Sequence, residues 1–275
     1  MSELQKTLAD SVEFEGIGIH TGVRSRIVIK PADEGHGLVF ASGGRLIPAG
    51  CDYVVSTKRS TVLGSEGVSV STVEHLLAAL SGLGISNALI ETDGPEIPIL
   101  DGSADLFCKR LLAAGLKTQS GGREVFELAE PVFVSAEDSL VLAMPCSELI
   151  LEGDVSYPSP QVGHQNYSFR SSDSFADELA PARTFGFWSE VKALLEAGLG
   201  QGGDLFNALI FDRPGFDASL LRFPDEPARH KVLDLAGDLA LLGRPLHAHV
   251  LAVRAGHRLH VEFVRKLARV MNKDA

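Results

Sequence analysis

Cysteine is scarce in this chain. Cys51, Cys108 and Cys146 are the three present in 275 residues, far apart and with no Cys-x-x-Cys pair. That spacing excludes a disulfide framework and argues against structural zinc held on thiolates. Long apolar runs are missing too: the N-terminus has no signal-peptide core, and no segment reaches transmembrane length. Positive charge is also in short supply. Against 36 acidic residues stand 25 Lys and Arg, a net charge of −11. Such a chain is a poor general binder of nucleic acid or of an anionic membrane surface, although a local basic pocket stays open to it. These absences point to a reducing interior, the cytoplasm of a bacterium or the inside of an organelle, with no stable membrane insertion. What is abundant is ordinary: 45% of the residues are hydrophobic, as in globular domains generally.

The chain reads as two related halves. Leu8 to Phe14 precedes a turn and then Ile27-Val28-Ile29-Lys30-Pro31, while Leu128 to Val134 precedes Leu140 to Pro145. Each half opens with a hairpin ending in proline, and Gln119-Ser120-Gly121-Gly122 between them reads as a linker. The predicted architecture is α+β: two similar β-α-α-β sandwich domains, residues 1–120 and 123–275, with a site at their interface.

Chemistry concentrates in a few places. The stretch from Glu226 to Gly243 carries Leu233, Ala236, Leu239 and Ala240 at helical spacing, with Gly243 as a stop. His230, Asp234 and Asp238 recur every fourth residue in it, which lines up an imidazole and two carboxylates on one face. Asp is a poor helix-interior residue, so two in one row suggest a purpose beyond helix stability. A His and a carboxylate at i, i+4 can close on one metal ion. In the first half, Ser71-Thr72-Val73-Glu74 fits a capping box opening a helix with Leu76, Leu77, Leu80 and Leu83 on its apolar stripe, and His75 falls in the first turn. A third cluster, Arg254-Ala255-Gly256-His257, joins a strand over 248–253 to an amphipathic helix. His75, His230, Asp234 and His257 together make three or four ligands without a thiolate, a set suited to zinc or to Fe2+ in its place. His247-x-His249, on one face of the same strand, is a competing pair.

Several blocks carry a resemblance. Thr72-Val73-Glu74-His75-Leu76, Asp101-Gly102-Ser103-Ala104, Ala182-Arg183-Thr184-Phe185-Gly186-Phe187 and His230-Lys231-x-Leu233-Asp234-x-x-Gly237-Asp238-Leu239 are similar to signature blocks of the UDP-3-O-acyl-N-acetylglucosamine deacetylase family. Gly16-Ile17-Gly18-Ile19-His20-Thr21-Gly22 and Pro95-Glu96-Ile97-Pro98 match as well. The resemblance runs in order from about residue 6 to about residue 266. It implies a cytoplasmic zinc amidohydrolase of Gram-negative bacteria, performing the committed step of lipid A synthesis on an acylated UDP-amino sugar. The expected state is a monomer.

By that resemblance His75, His230 and Asp234 are the zinc ligands. Glu74 is the general base, His257 the cationic partner oriented by Asp238, and Thr184 a donor to the oxyanion. Lys231 meets the nucleotide diphosphate. Phe185, Phe187, Val191, Leu194, Leu195 and Leu199 fall where the family builds an apolar passage for the acyl chain. The chain also departs from the pattern. Gly202-Gly203 runs into Asp204-Leu205-Phe206, Ser159-Pro160 stands for His-Pro, and Arg258-Leu259-His260 replaces an Asn-bearing stretch. Gly153 falls where an aromatic residue stacks on uracil, which leads to the expectation of a weaker hold on the base. The alternative reading is a diverged zinc deacetylase of another acylated amino sugar or amide.

Overall fold

A computed structural model describes residues 3–272. The first half builds a five-stranded sheet from β1 (Val12–Ile17), β2 (Arg24–Pro31), β3 (Leu38–Ser42), β4 (Arg45–Pro48) and β5 (Ala88–Thr92), in the order β1-β2-β5-β3-β4. The second builds its sheet from β6 (Val132–Ala136), β7 (Ser139–Pro145), β8 (Leu149–Ser156), β9 (His164–Arg170) and β10 (Leu246–Val253), in the order β6-β7-β10-β8-β9, with the short strand Phe126–Glu127 added parallel to the start of β10. Order and sense agree strand for strand. In each half the last strand in sequence enters the middle, antiparallel to the proline-ended strand and parallel to the third. The internal repeat read from the two hairpins is therefore a repeat of topology. Period-two burial explains the strands. In β10, Leu246, Ala248, Val250 and Ala252 face the core, and the intervening residues, His247 and His249 among them, stay half-buried on the other face.

Two local expectations fail. Gln119 to Gly122 is no linker: it lies within the strand Leu116–Arg123, which pairs antiparallel with Glu3–Leu8. Long-range pairing overrides the glycine signal there. The capping box also fails to form. Helix α1 (Glu74–Gly82) receives no side-chain cap: the Ser71 hydroxyl donates to the Pro95 carbonyl at 3.2 Å instead, and Thr72, with a positive φ of 58°, donates to Glu96 at 2.7 Å.

Helices α1, α2 (Asp105–Ala113), α4 (Glu226–Leu239) and α5 (His257–Met271) form the layers between the sheets; α3 (Trp188–Glu196) lies apart, with no buried residue. Residues Glu74 to Leu80 of α1 are all buried, so this helix is enclosed on every side. Helix α4 starts with Pro227 in its first turn and is followed by a 3-10 turn that ends at Gly243 in the left-handed conformation. It packs on α1, on α5 and on β8 and β9. No helix among the described residues is long and apolar enough to cross a membrane.

The crossing of α1 and α4 is backbone against backbone. A Cβ on Gly237 would lie 2.1 Å from the Glu74 carbonyl oxygen. No side chain fits there unless the helices part. Gly237→Ala is therefore expected to cost about 2–3 kcal/mol, the upper part of the range for overpacking. Urea denaturation measures it; a loss below about 0.5 kcal/mol, the level of an inconsequential surface change, would show that the crossing can relax.

Candidate active site

That crossing brings the first turn of α1 beside the central turns of α4, and the first residue of α5 joins them. His75, His230 and Asp234 are 4%, 2% and 2% exposed. Their ligand atoms lie within 4.8 Å of one another. Asp234 Oδ1 is 3.4 Å from His230 Nε2 and 3.6 Å from His75 Nε2, too far for a hydrogen bond to either. Asp234 Oδ1 is thus buried and without a partner. A buried carboxylate oxygen left unpaired between two imidazole nitrogens is costly unless something cationic sits among them. The donor set, two imidazoles and a carboxylate, fits a divalent ion of the zinc type.

The surroundings hold these groups in ligand form. His230 Nδ1 meets the Ala182 carbonyl at 3.1 Å, which directs Nε2 inward. Burial pushes the His230 imidazole down to about 3, so it stays neutral. For Asp234, burial opposes the charge. The Lys231 ammonium outweighs it and holds the carboxyl well below its usual range. Lys231 Nζ donates to Asp234 Oδ2 at 2.9 Å, leaving Oδ1 to the site. The motif residues supply the scaffold. Arg183 donates through its backbone N and its guanidinium to Glu226 of α4, fixing the Ala182 carbonyl, and Thr184 N donates to the Gly102 carbonyl.

Glu74 and His257 flank the trio. His257 Nε2 is 3.6 Å from Glu74 Oε1, and His257 Nδ1 donates to Asp238 Oδ2 at 2.8 Å. Burial raises the proton affinity of Glu74, as suits a base. For His257 burial works downward, but the Asp238 and Glu74 carboxylates prevail and hold it up at about 10. Asp238 itself, despite complete burial, is kept down at about 2 by His257 and His260. A carboxylate of raised proton affinity and a cationic imidazole therefore face each other at 3.6 Å.

Two members of this network were not singled out as site residues in the sequence. Thr61 donates its backbone N–H to Glu74 Oε2 and its hydroxyl to Asp238 Oδ1, at 3.0 and 2.6 Å. It lies 177 positions from Asp238, and no local pattern marks it. Fully buried Glu96 is the other. It accepts from the backbone N–H groups of His20 and Thr21 and from the hydroxyls of Thr21 and Thr72. It thereby ties the His20 loop to the entry of α1. The Pro95–Pro98 and Gly16–Gly22 motifs were its signal.

A cleft of about 640 Å³ opens over the trio and also admits Glu74, Thr184, Lys231 and His257. Phe185, Val191, Leu194 and Leu195 line its apolar part. Phe187 does not. It packs on Tyr157 and Phe211, in a small separate cluster, because the parallel pairing of Phe185–Phe187 with Leu209–Phe211 carries it past the cleft. Leu199 is likewise outside the lining. The competing pair is also remote: His249 Nε2 meets Glu152 Oε2 at 2.9 Å, and neither His247 nor His249 belongs to a group able to hold a metal among the described residues. Gly153 does not face the cleft. A Cβ there would stand 2.7 Å from Val232 Cγ2 of α4. The glycine serves the packing of β8 under α4, and the expectation of a weaker hold on uracil loses its basis.

Known proteins resemble this chain over nearly its whole length. The family model described as UDP-3-O-acyl N-acetylglycosamine deacetylase (LpxC) matches residues 5–269. A UDP-3-O-acyl-N-acetylglucosamine deacetylase of Chlamydia abortus is 42% identical over 98% of this chain and 99% of its own length. Proteins of the same name from Nostoc sp. and Thermosynechococcus vestitus are 42% and 44% identical, over 98% and 96% of this chain and 99% and 94% of their own lengths. With a match spanning nearly every residue that builds the two sheets and the buried network between them, the chain belongs to the UDP-3-O-acyl N-acetylglycosamine deacetylase family.

Proposed function

We propose that this protein is a zinc-dependent deacetylase that removes the N-acetyl group from UDP-3-O-acyl-N-acetylglucosamine, the committed step of lipid A synthesis. The observation that carries the reading is the unpartnered Asp234 oxygen between His75 and His230, with the Glu74–His257 pair in the same cleft. The names of the relatives support the substrate. His75, His230 and Asp234 hold the ion, zinc by preference and Fe2+ as the substitute. When bound it supplies Lewis acidity, polarising the amide carbonyl and making a water more acidic.

The protein's own groups do the rest. Glu74 takes a proton from the attacking water as the new C–O bond forms. Thr184, at the cleft wall, donates to the developing oxyanion together with cationic His257. His257 then gives its Nε2 proton to the leaving nitrogen as the C–N bond breaks, which yields acetate and the free amine. Asp238 keeps the imidazole oriented and charged. Lys231 has donor capacity beyond Asp234 for a substrate phosphate. Phe185, Val191 and Leu195 offer the acyl chain an apolar wall. The two halves act as two domains closing on one site, in a cytoplasmic monomer.

His230→Ala and Asp234→Ala are each expected to lose most of the bound metal and nearly all turnover, measured by elemental analysis beside the assay. Full occupancy in both would reject this ligand set. Glu74→Ala should keep its metal and lose roughly 10²- to 10⁴-fold in turnover, the range for general acid–base catalysis; normal turnover would leave Glu74 a structural carboxylate.

The pH profile should be bell-shaped. Activity falls on the acid side as Glu74 gains a proton, and on the alkaline side as His257 loses one. Because carboxylates raise the His257 value, its limb lies above the ordinary imidazole range. Asp238→Asn removes a negative charge and should move that limb toward neutral pH; an unmoved limb would assign it to another group. For specificity, kcat/KM should fall sharply for a substrate without its acyl chain, since remote binding energy is used at the reacting carbonyl. An unchanged value would favour the alternative, a deacetylase of another amide.

A further inference from the structure

Asp238 is shared. Its Oδ2 faces His257 Nδ1 at 2.8 Å and His260 Nδ1 at 2.9 Å, while its Oδ1 accepts from Thr61 Oγ1 at 2.6 Å. An ionised carboxylate only accepts, so all three partners donate, and both imidazoles carry their proton on Nδ1. His260 is one turn along α5 from His257, is 1% exposed, and has its Nε2 buried without a partner. Two imidazoles therefore compete for one oxygen, and burial makes that competition strong.

We propose that His260 is a positioning residue which, through Asp238, sets both the orientation and the proton affinity of His257. A donor that draws on the charge of Oδ2 leaves less of it to hold the proton of His257. The same donor pins the carboxylate, so that His257 Nε2 stays aimed past Glu74 into the site. Thr61 pins the other oxygen in the same way. His260 sits outside the cleft lining, so it touches no substrate and works only through Asp238. The charged and titratable groups around His257 are Glu74 of α1, Asp234 and Asp238 of α4, His20 of the loop before β2 and His260 of its own helix. Of these, His260 is the one that shares an acceptor oxygen with it. An asparagine at this position would keep an N–H donor for the same carboxylate oxygen.

The inference rests on the catalytic reading of His257, and the experiment separates the two. In the zinc-loaded protein, the His257 ring is titrated by nitrogen-resolved NMR, and the alkaline limb of the pH–rate profile is recorded beside it. With His260→Leu, both the ring titration and the limb should move to higher pH, by about one unit, the shift expected for a retained proton that no longer competes for its acceptor. Thr61→Val, which spares the α5 packing, should move both the same way. His260→Asn should bring both back to the wild-type position. Charge sharing is overturned if neither His260→Leu nor Thr61→Val moves the His257 titration, or if His260→Asn moves it as far as His260→Leu. If the ring titration shifts as stated while the limb stays still, sharing stands and the catalytic reading of His257 fails.

Discussion

The site depends on one contact, the backbone of α4 at Gly237 against the first turn of α1 at Glu74. Each helix belongs to a different half of the chain, and each carries an incomplete set of groups. α1 holds a carboxylate and an imidazole next to each other; α4 holds an imidazole and two carboxylates in a row. Only when the helices approach without an intervening side chain does Asp234 fall between His75 and His230, and Asp238 within reach of the first residue of α5. A wider crossing would leave each group in an apolar interior without its complement, where buried charge is not tolerated.

The same closeness shapes the electrostatics. Asp238, Asp234, Glu74, His230 and His257 are all removed from water, so each proton affinity is set by neighbours rather than by solvent. Burial lowers His230 and keeps it neutral. It also raises Glu74 and makes it a stronger base. Asp238 reverses the effect at His257, which stays cationic. Pushing two groups apart in proton affinity within a few ångströms of each other is how one pocket offers a base and an acid at the same pH.

Much of this was legible in local pattern. Spacing of four puts His230, Asp234 and Asp238 on one helical face whatever the tertiary context, and α4 forms within Glu226 to Gly243, with Gly243 after its end as expected. The hairpins ending at Pro31 and Pro145 announced the repeat, because the alternation of buried residues is local to each strand. What failed did so where a distant partner outbid a local preference. Ser71 turned its hydroxyl to the Pro95 carbonyl rather than to the start of α1, and Gln119 to Gly122 was drawn into a ladder with the N-terminal strand. Gly153 was read as a lost aromatic contact, although its lack of a side chain answers to Val232 of α4.

The sequence by itself determined the identity and local geometry of the reactive groups: the residue types, the helical row and the His at the strand-to-helix junction. These follow from dihedral preference and periodicity, which act over a few residues. Which groups meet was decided by tertiary structure alone. Thr61 reaches Asp238 across 177 positions, Arg183 reaches Glu226 across 43, and two imidazoles come to share one carboxylate oxygen. Such pairings depend on how two sheets and their helices pack to bury apolar surface, and on the absence of a single Cβ at Gly237.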